Sequence, residues 1–143
     1  MRVLVISDTH GTLTFVKRAL ESRGGITHII HLGDGMRDLE KLQIEYPEIS
    51  FYGIKGNNDL SQLYPNEMYI ELAGHKIFAT HGHLYSVRTS VTKLYDKAHS
   101  LGADTVLFGH THMKYDKEID GIRFLNPSAF GTILITENKI EFI

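Results

Sequence analysis

The chain has 143 residues, 42% hydrophobic and 22% charged, the mix of one ordinary globular domain rather than a disordered or fibrous chain. Fifteen Lys and Arg against seventeen Asp and Glu leave a net charge of −2, so there is no basic excess to grip a nucleic-acid backbone or an anionic lipid surface. The absence of cysteine excludes disulfides, thiolate nucleophiles and cysteine-based zinc or iron–sulfur sites, while nine histidines stand out.

The first half alternates strand and helix. Val3–Ile6 is a short apolar run, as expected of a strand buried on both faces. Leu13, Val16 and Leu20 follow helical spacing, with Thr12 or Thr14 as the expected cap and Gly24-Gly25 as the stop. Ile29–Leu32 is the next buried run. Met36, Leu39 and Leu42 give a second helix that Pro47 closes, and Ser50–Ile54 a third strand. This order implies a parallel sheet with right-handed crossovers.

The second half changes character. Met68–Leu72 and Lys76–Thr80 flank Ala73-Gly74-His75 and predict a hairpin. Val87, Val91, Leu94, Tyr95, Ala98 and Leu101 predict a helix ended by Gly102. Thr105–Phe108 reads as a buried strand. Asp120-Gly121 and Glu137-Asn138 predict two more hairpins, the second closing on Ile140–Ile143. The expected fold is α/β, one domain over residues 1–143, with two mixed sheets and helices outside. No apolar run approaches the ~20 residues that cross a bilayer, and Val3–Ile6 is too short for a signal-peptide core, so a cytoplasmic protein without a membrane partner is expected.

Five times an apolar strand runs into a polar cluster beside a glycine: Asp8-Thr9-His10-Gly11, Gly33-Asp34, Gly56-Asn57-Asn58-Asp59, His81-Gly82-His83 and Gly109-His110-Thr111-His112. Each follows a strand's C-terminal end, the edge where open α/β sheets bind ligands. Asp8, His10, Asp34, Asn57, His81, His110 and His112 make seven oxygen and imidazole donors. That set suits Mn, Fe, Zn, Co or Ni rather than an all-oxygen calcium cage. Seven donors exceed the four of one tetrahedral zinc and fit two ions about 3.5–4 Å apart sharing one carboxylate, for which Asp34 is the choice. With two carboxylates and a shared hydroxide such a pair keeps about +1 charge, which favours an anionic substrate and hydrolysis of a P–O bond by that hydroxide.

In this order the clusters resemble the calcineurin-like metallophosphoesterase superfamily: D-x-H as Asp8-x-His10, G-D as Gly33-Asp34, G-N-x-D as Gly56–Asp59, then His81, then G-H-x-H as Gly109–His112. The resemblance runs from residue 7 to about residue 128. Thr80–His83, the short length and Asn126-Pro127 look most like its small YfcE-type phosphodiesterase branch, of which the retromer subunit is a relative. It implies a four-layer αββα sandwich and two divalent ions per chain, Mn²⁺ first, with Ni²⁺, Co²⁺, Zn²⁺, Fe or Mg²⁺ as the others. It gives one ion to Asp8, His10, Asp34 and His112, and the other to Asp34, Asn57, His81 and His110.

Two departures bear on catalysis. Where many of these phosphatases carry a histidine that protonates the leaving oxygen, this chain has Asn58, which has no such proton to give. A small phosphodiester, or a substrate with an activated leaving group, is therefore the expected partner. His83 is the substitute acid, on the same side as His81 if the chain is extended there. The second departure is Asn126-Pro127-Ser128-Ala129, where the family often has N-P-G-S. Asp59 is expected to brace the Asn57 loop, and His31 to be packed behind the site; His28, His75 and His99 read as surface or structural. Arg37 and Arg88 could each clamp a phosphate, with solvated salt bridging the preferred reading, and Tyr85 is ambiguous. A protein-interaction scaffold with the same fold is the alternative function, and pairing at the terminal strand leaves a homodimer or higher oligomer open.

Overall fold

A computed structural model describes residues 1–143. The elements run β1 Val3–Ile6, α1 Thr14–Arg23, β2 His28–His31, α2 Met36–Glu45, β3 Ser50–Gly53, β4 Glu67–Leu72, β5 His75–Thr80, α3 Thr92–Leu101, β6 Thr105–Leu107, β7 Tyr115–Ile119, β8 Ile122–Asn126, β9 Ile133–Ile135 and β10 Ile140–Phe142. They form two five-stranded sheets, ordered β10-β9-β1-β2-β3 and β4-β5-β6-β8-β7. In the first, β1, β2 and β3 are parallel, and Val3 pairs with His28, which pairs with Ser50. In the second, β5, β6 and β8 are parallel and the edge strands β4 and β7 run antiparallel.

The period of two along each strand builds the layers. Val3 and Val5 face the second sheet and pack with Ile30, Leu32, Ile77, Leu107, Leu125 and Ile133. Leu4 and Ile6 face the other way, onto Val16 and Ala19 of α1 and Leu42 of α2. Phe78, Val106 and Phe124 do the same on the far side, under Leu94 and Ala98 of α3. The result is helix, sheet, sheet, helix, the four-layer sandwich. No helix is long and apolar enough to cross a membrane.

Local chemistry explains most boundaries. Gly24 N–H closes α1 on Leu20 C=O, and Gly102 ends α3 in the left-handed region. Asp120 and Gly121 both have positive φ, the pattern of a two-residue hairpin turn. Two expectations fail. Neither Thr12 nor Thr14 caps α1, whose N-terminal flank is Leu13 with no side-chain bond. The third helix starts at Thr92, not near Val87, because Ser86 takes φ +54° after a short 3₁₀ turn at His83–Tyr85. Val87 and Val91 still reach the apolar layer beneath α3, which is why their spacing imitated a helix. Tyr85 packs on that layer and donates to Glu67 Oε1 at 2.6 Å. β10 is a sheet edge, as expected of the terminal strand.

Because Ile30 is fully buried between the sheets, Ile30→Ala is expected to lower unfolding stability by about 2–5 kcal/mol. Urea unfolding followed by circular dichroism measures it.

Candidate metal centre

The five clusters meet at one edge of the sandwich. Backbone bonds hold neighbouring exits together: Asp8 N–H donates to Gly33 C=O at 2.9 Å and Gly109 N–H to His81 C=O at 2.9 Å. His81 Nδ1 meets Leu32 C=O at 2.8 Å and so spans the two sheets. That bond places the hydrogen on Nδ1 and turns Nε2 inward.

The floor of the site is acidic and dry. Asp8 is 1% exposed and Asp34 3%. Ser7 Oγ–H and the His110 N–H, the latter at 3.2 Å, both serve Asp8 Oδ2. Asp8 Oδ1 is buried with no hydrogen-bond partner. It faces His112 Nε2 at 3.3 Å and His81 Nε2 at 3.8 Å. An orphaned carboxylate oxygen among imidazole nitrogens is what a cation site requires. Asp8, His10 and His112 offer ligand atoms within 4.8 Å of one another, and so do Asp8, Asp34 and His81.

Asp34 stands between the two groups. Its Oδ2 lies 3.4 Å from His81 Nε2 and 3.9 Å from His10 Nε2. Asn57 Oδ1 lies 3.1 Å from both His81 Nε2 and His110 Nδ1. All seven sequence-predicted ligands are thus together, the acids and His81 buried and His10, Asn57 and His112 on the open rim. The donor set fits divalent ions that accept oxygen and imidazole. The geometry adds a feature the sequence reading lacked: Asp8, as well as Asp34, reaches both groups.

Charge follows from these contacts. Burial opposes ionisation of Asp34, but His81 and the backbone and side-chain N–H groups of Asn58 outweigh it and hold its pKa well below the usual carboxylate range. Burial likewise disfavours a charge on His81, yet Asp34 and Asp8 raise its pKa; a bound cation would displace that proton. Burial and the adjacent His81 lower the pKa of His83 and of His110.

Asn58 donates to both oxygens of Asp34, from N–H to Oδ1 and from Nδ2 to Oδ2, each at 2.9 Å. His83 reaches the cluster, its ring 5.4 Å from that of His81, though not by an extended chain: Gly82 turns at φ +110° into the 3₁₀ turn. His83 Nδ1 is buried without a partner.

The supporting contacts are more extensive than the sequence suggested. Asp59 braces the loop as expected and does more: it accepts N–H bonds from Asp34, Gly35, Met36 and Gly56 at 2.7–3.1 Å, capping α2 from another loop. Gly56 sits so close that a Cβ would strike Asp34 Oδ1 and N. Asn126, fully buried, donates to Gly109 C=O and Thr111 Oγ1 and holds the His110–His112 loop, while Ala129 N–H reaches His112 C=O at 3.4 Å. The 126–129 loop therefore braces the His110–His112 segment and its candidate ligands. Arg88 is exposed as expected but forms no salt bridge; its Nε–H donates to His110 Nε2 at 3.1 Å instead. Arg37 also lacks a carboxylate partner and lines the cleft beside Asp34 and Asn58. His28 and His75 bind Thr27 Oγ1 and Thr136 C=O, and His99 packs near Tyr95, all away from the centre.

His31 is fully buried behind the site, as expected. Gly33 N–H donates to its Nδ1 at 3.1 Å, and its Nε2–H donates to Thr9 Oγ1 at 2.9 Å. Thr9 in turn donates to Asp38 Oδ2, which also accepts Gly11 N–H. Only a neutral imidazole fits that chain, and burial pushes its pKa down to about 4.

A sequence model of the calcineurin-like phosphoesterase superfamily domain matches residues 1–139. A probable metallophosphoesterase of Bacillus subtilis, YsnB, is 32% identical over 90% of this chain and 75% of its own. A phosphodiesterase of Methanocaldococcus jannaschii is 28% identical over 89% and 82%. The structure of Vps29 from Entamoeba histolytica, complexed with Zn²⁺, superposes with a TM-score of 0.79 at 25% identity, over 98% of this chain and 89% of that one.

Two outcomes follow from the bracing. An unfolded histidine takes up its proton below its ordinary value near 6.5, the folded His31 only near 4, so stability is complete above 6.5 and falls as pH drops to 4. The loss is about 3 kcal/mol, and thermal melts should show it shrinking in His31→Gln. Asp59→Ala, which strands four amides, should cost about 2–4 kcal/mol in denaturant melts, with Asp59→Asn recovering part.

Proposed function

The chain belongs to the calcineurin-like phosphoesterase superfamily, and we propose that it is a hydrolase of phosphodiesters that works with two divalent ions. The observation that carries this reading is the buried Asp8 Oδ1, unpartnered, between two donor groups that Asp34 joins. Asp8, His10, Asp34 and His112 would hold one ion; Asp34, Asn57, His81 and His110 the other. Such a pair would supply polarisation of the phosphoryl oxygens and a water of lowered pKa. Mn²⁺ is the preferred metal, with Ni²⁺, Co²⁺, Zn²⁺, Fe and Mg²⁺ as the others.

The protein's own groups supply position and proton handling. Asn58 holds both Asp34 oxygens and has no proton to release to a leaving oxygen. Hydrolysis adds water oxygen to phosphorus and breaks one P–O ester bond, and the departing oxygen leaves as an anion or takes a proton. Activated leaving groups are therefore favoured, and simple alkyl monoesters are poor. His83, with its free Nδ1, is the proposed proton source within the cluster. The likeness to Vps29, together with Asn58, supports a second reading, a scaffold that keeps the fold and the ions without turnover.

The test is hydrolysis of bis(p-nitrophenyl) phosphate beside p-nitrophenyl phosphate, on chelated protein given Mn²⁺, Ni²⁺, Co²⁺, Zn²⁺ or Mg²⁺ singly. Metal-dependent diester cleavage is expected, falling at least about 100-fold in Asp34→Asn. Two ions bound per chain with no turnover would replace the hydrolase with the scaffold.

A further inference from the structure

Two depressions flank the centre, and their linings differ. One, about 580 Å³, starts at His10, Asp34 and Asn58 and is mostly charged or polar beyond them, with Arg37, Lys41 and Glu40, though Met36 and Leu60 also line it. The other, about 460 Å³, starts at Arg88 and Thr111 and is lined by Val91, Phe108, Met113 and Tyr115. Arg88 joins this second groove to the site through its bond to His110, and Thr111 lies between His110 and His112. Met113 is 70% exposed, an apolar side chain spent on the groove's open wall.

A phosphomonoester has one organic arm and needs one such depression; a diester has two. We propose, building on the hydrolase reading, that the Arg88 groove binds an aromatic arm of the substrate while the polar cleft takes the other. The substrate class is then a mixed diester, with one flat apolar substituent and one polar one. Arg88 is suited to the junction: its guanidinium has no carboxylate partner to neutralise it, and it carries donors only. If His110 held a cation through the Nδ1 that faces Asn57, its hydrogen would sit on Nε2, and Arg88 Nε–H would need an oxygen acceptor elsewhere. A phosphoryl oxygen at the centre provides one. Behind it, Val91, Met113 and the Tyr115 ring, over the buried Phe108, offer the apolar wall that a ring buries against.

The test separates this subsite from catalysis by using diesters with poor leaving groups. Benzyl methyl phosphate and dimethyl phosphate, which differ by one ring, are titrated calorimetrically into Zn²⁺-loaded protein. The ring is expected to tighten binding by about tenfold or more. Arg88→Gln should weaken both ligands, and Met113→Glu should collapse the ratio between them. Amide shifts on adding benzyl methyl phosphate should include Ser90, Thr111 and Met113. Equal affinity for the two phosphates, or a ratio unmoved by Met113→Glu, overturns the subsite. Turnover of bis(p-nitrophenyl) phosphate without ring discrimination keeps the hydrolase and removes the groove. Ring discrimination without turnover keeps the groove and removes the hydrolase.

Discussion

Two carboxylates, Asp8 and Asp34, are buried side by side at the ends of neighbouring parallel strands, and the rest of the site is organised around that cost. A buried acid needs donors or a cation. Asp34 receives Asn58 through both oxygens and faces imidazoles on two sides. Asp8 receives donors on one oxygen only, and the other is left facing imidazole nitrogens of the kind that can hold a metal ion. This asymmetry is the strongest physical argument that the protein was shaped for a cation.

Holding those groups also costs backbone strain. Asp8, His10, Asp34, His110 and His112 all have φ between +45° and +68°, a region that side-chain-bearing residues seldom occupy. The cost is on the order of 1 kcal/mol each, and it is offset by hydrogen bonds from outside the ligand set. Asp59 gathers four N–H groups, Asp38 ties Thr9 to Gly11, and Asn126 fixes the His110–His112 loop. These residues do not face the centre, yet without them the strained turns would relax and the donors would part.

The sandwich puts this edge between two clefts, one beside Asp34 and Asn58 and one beside Arg88. The sheets meet at the site through His81 and Leu32, so its floor is rigid, while its walls come from loops that differ in character. The segment from Ser86 to Val91, which imitated a helix in the sequence, is one of those walls. Its departure from helix is what brings Arg88 to His110.

The sequence alone determined the strands and their exits and singled out the seven candidate donors, because strand burial writes an apolar run and the polar cluster follows it directly. Motif order then pointed to the family and its two-sheet fold. Helix termini were less legible: Thr14 looks like a cap and is not one, and Val87 keeps a helical spacing outside any helix. Only the tertiary structure decided which oxygen of Asp8 is left without a partner, that Asp59 caps α2 from a distant loop, and that Arg88 turns to His110 rather than to a carboxylate. Those facts join residues 22 to 102 positions apart, and such contacts leave no periodicity in a sequence, because they arise from how the loops fold over the strand ends.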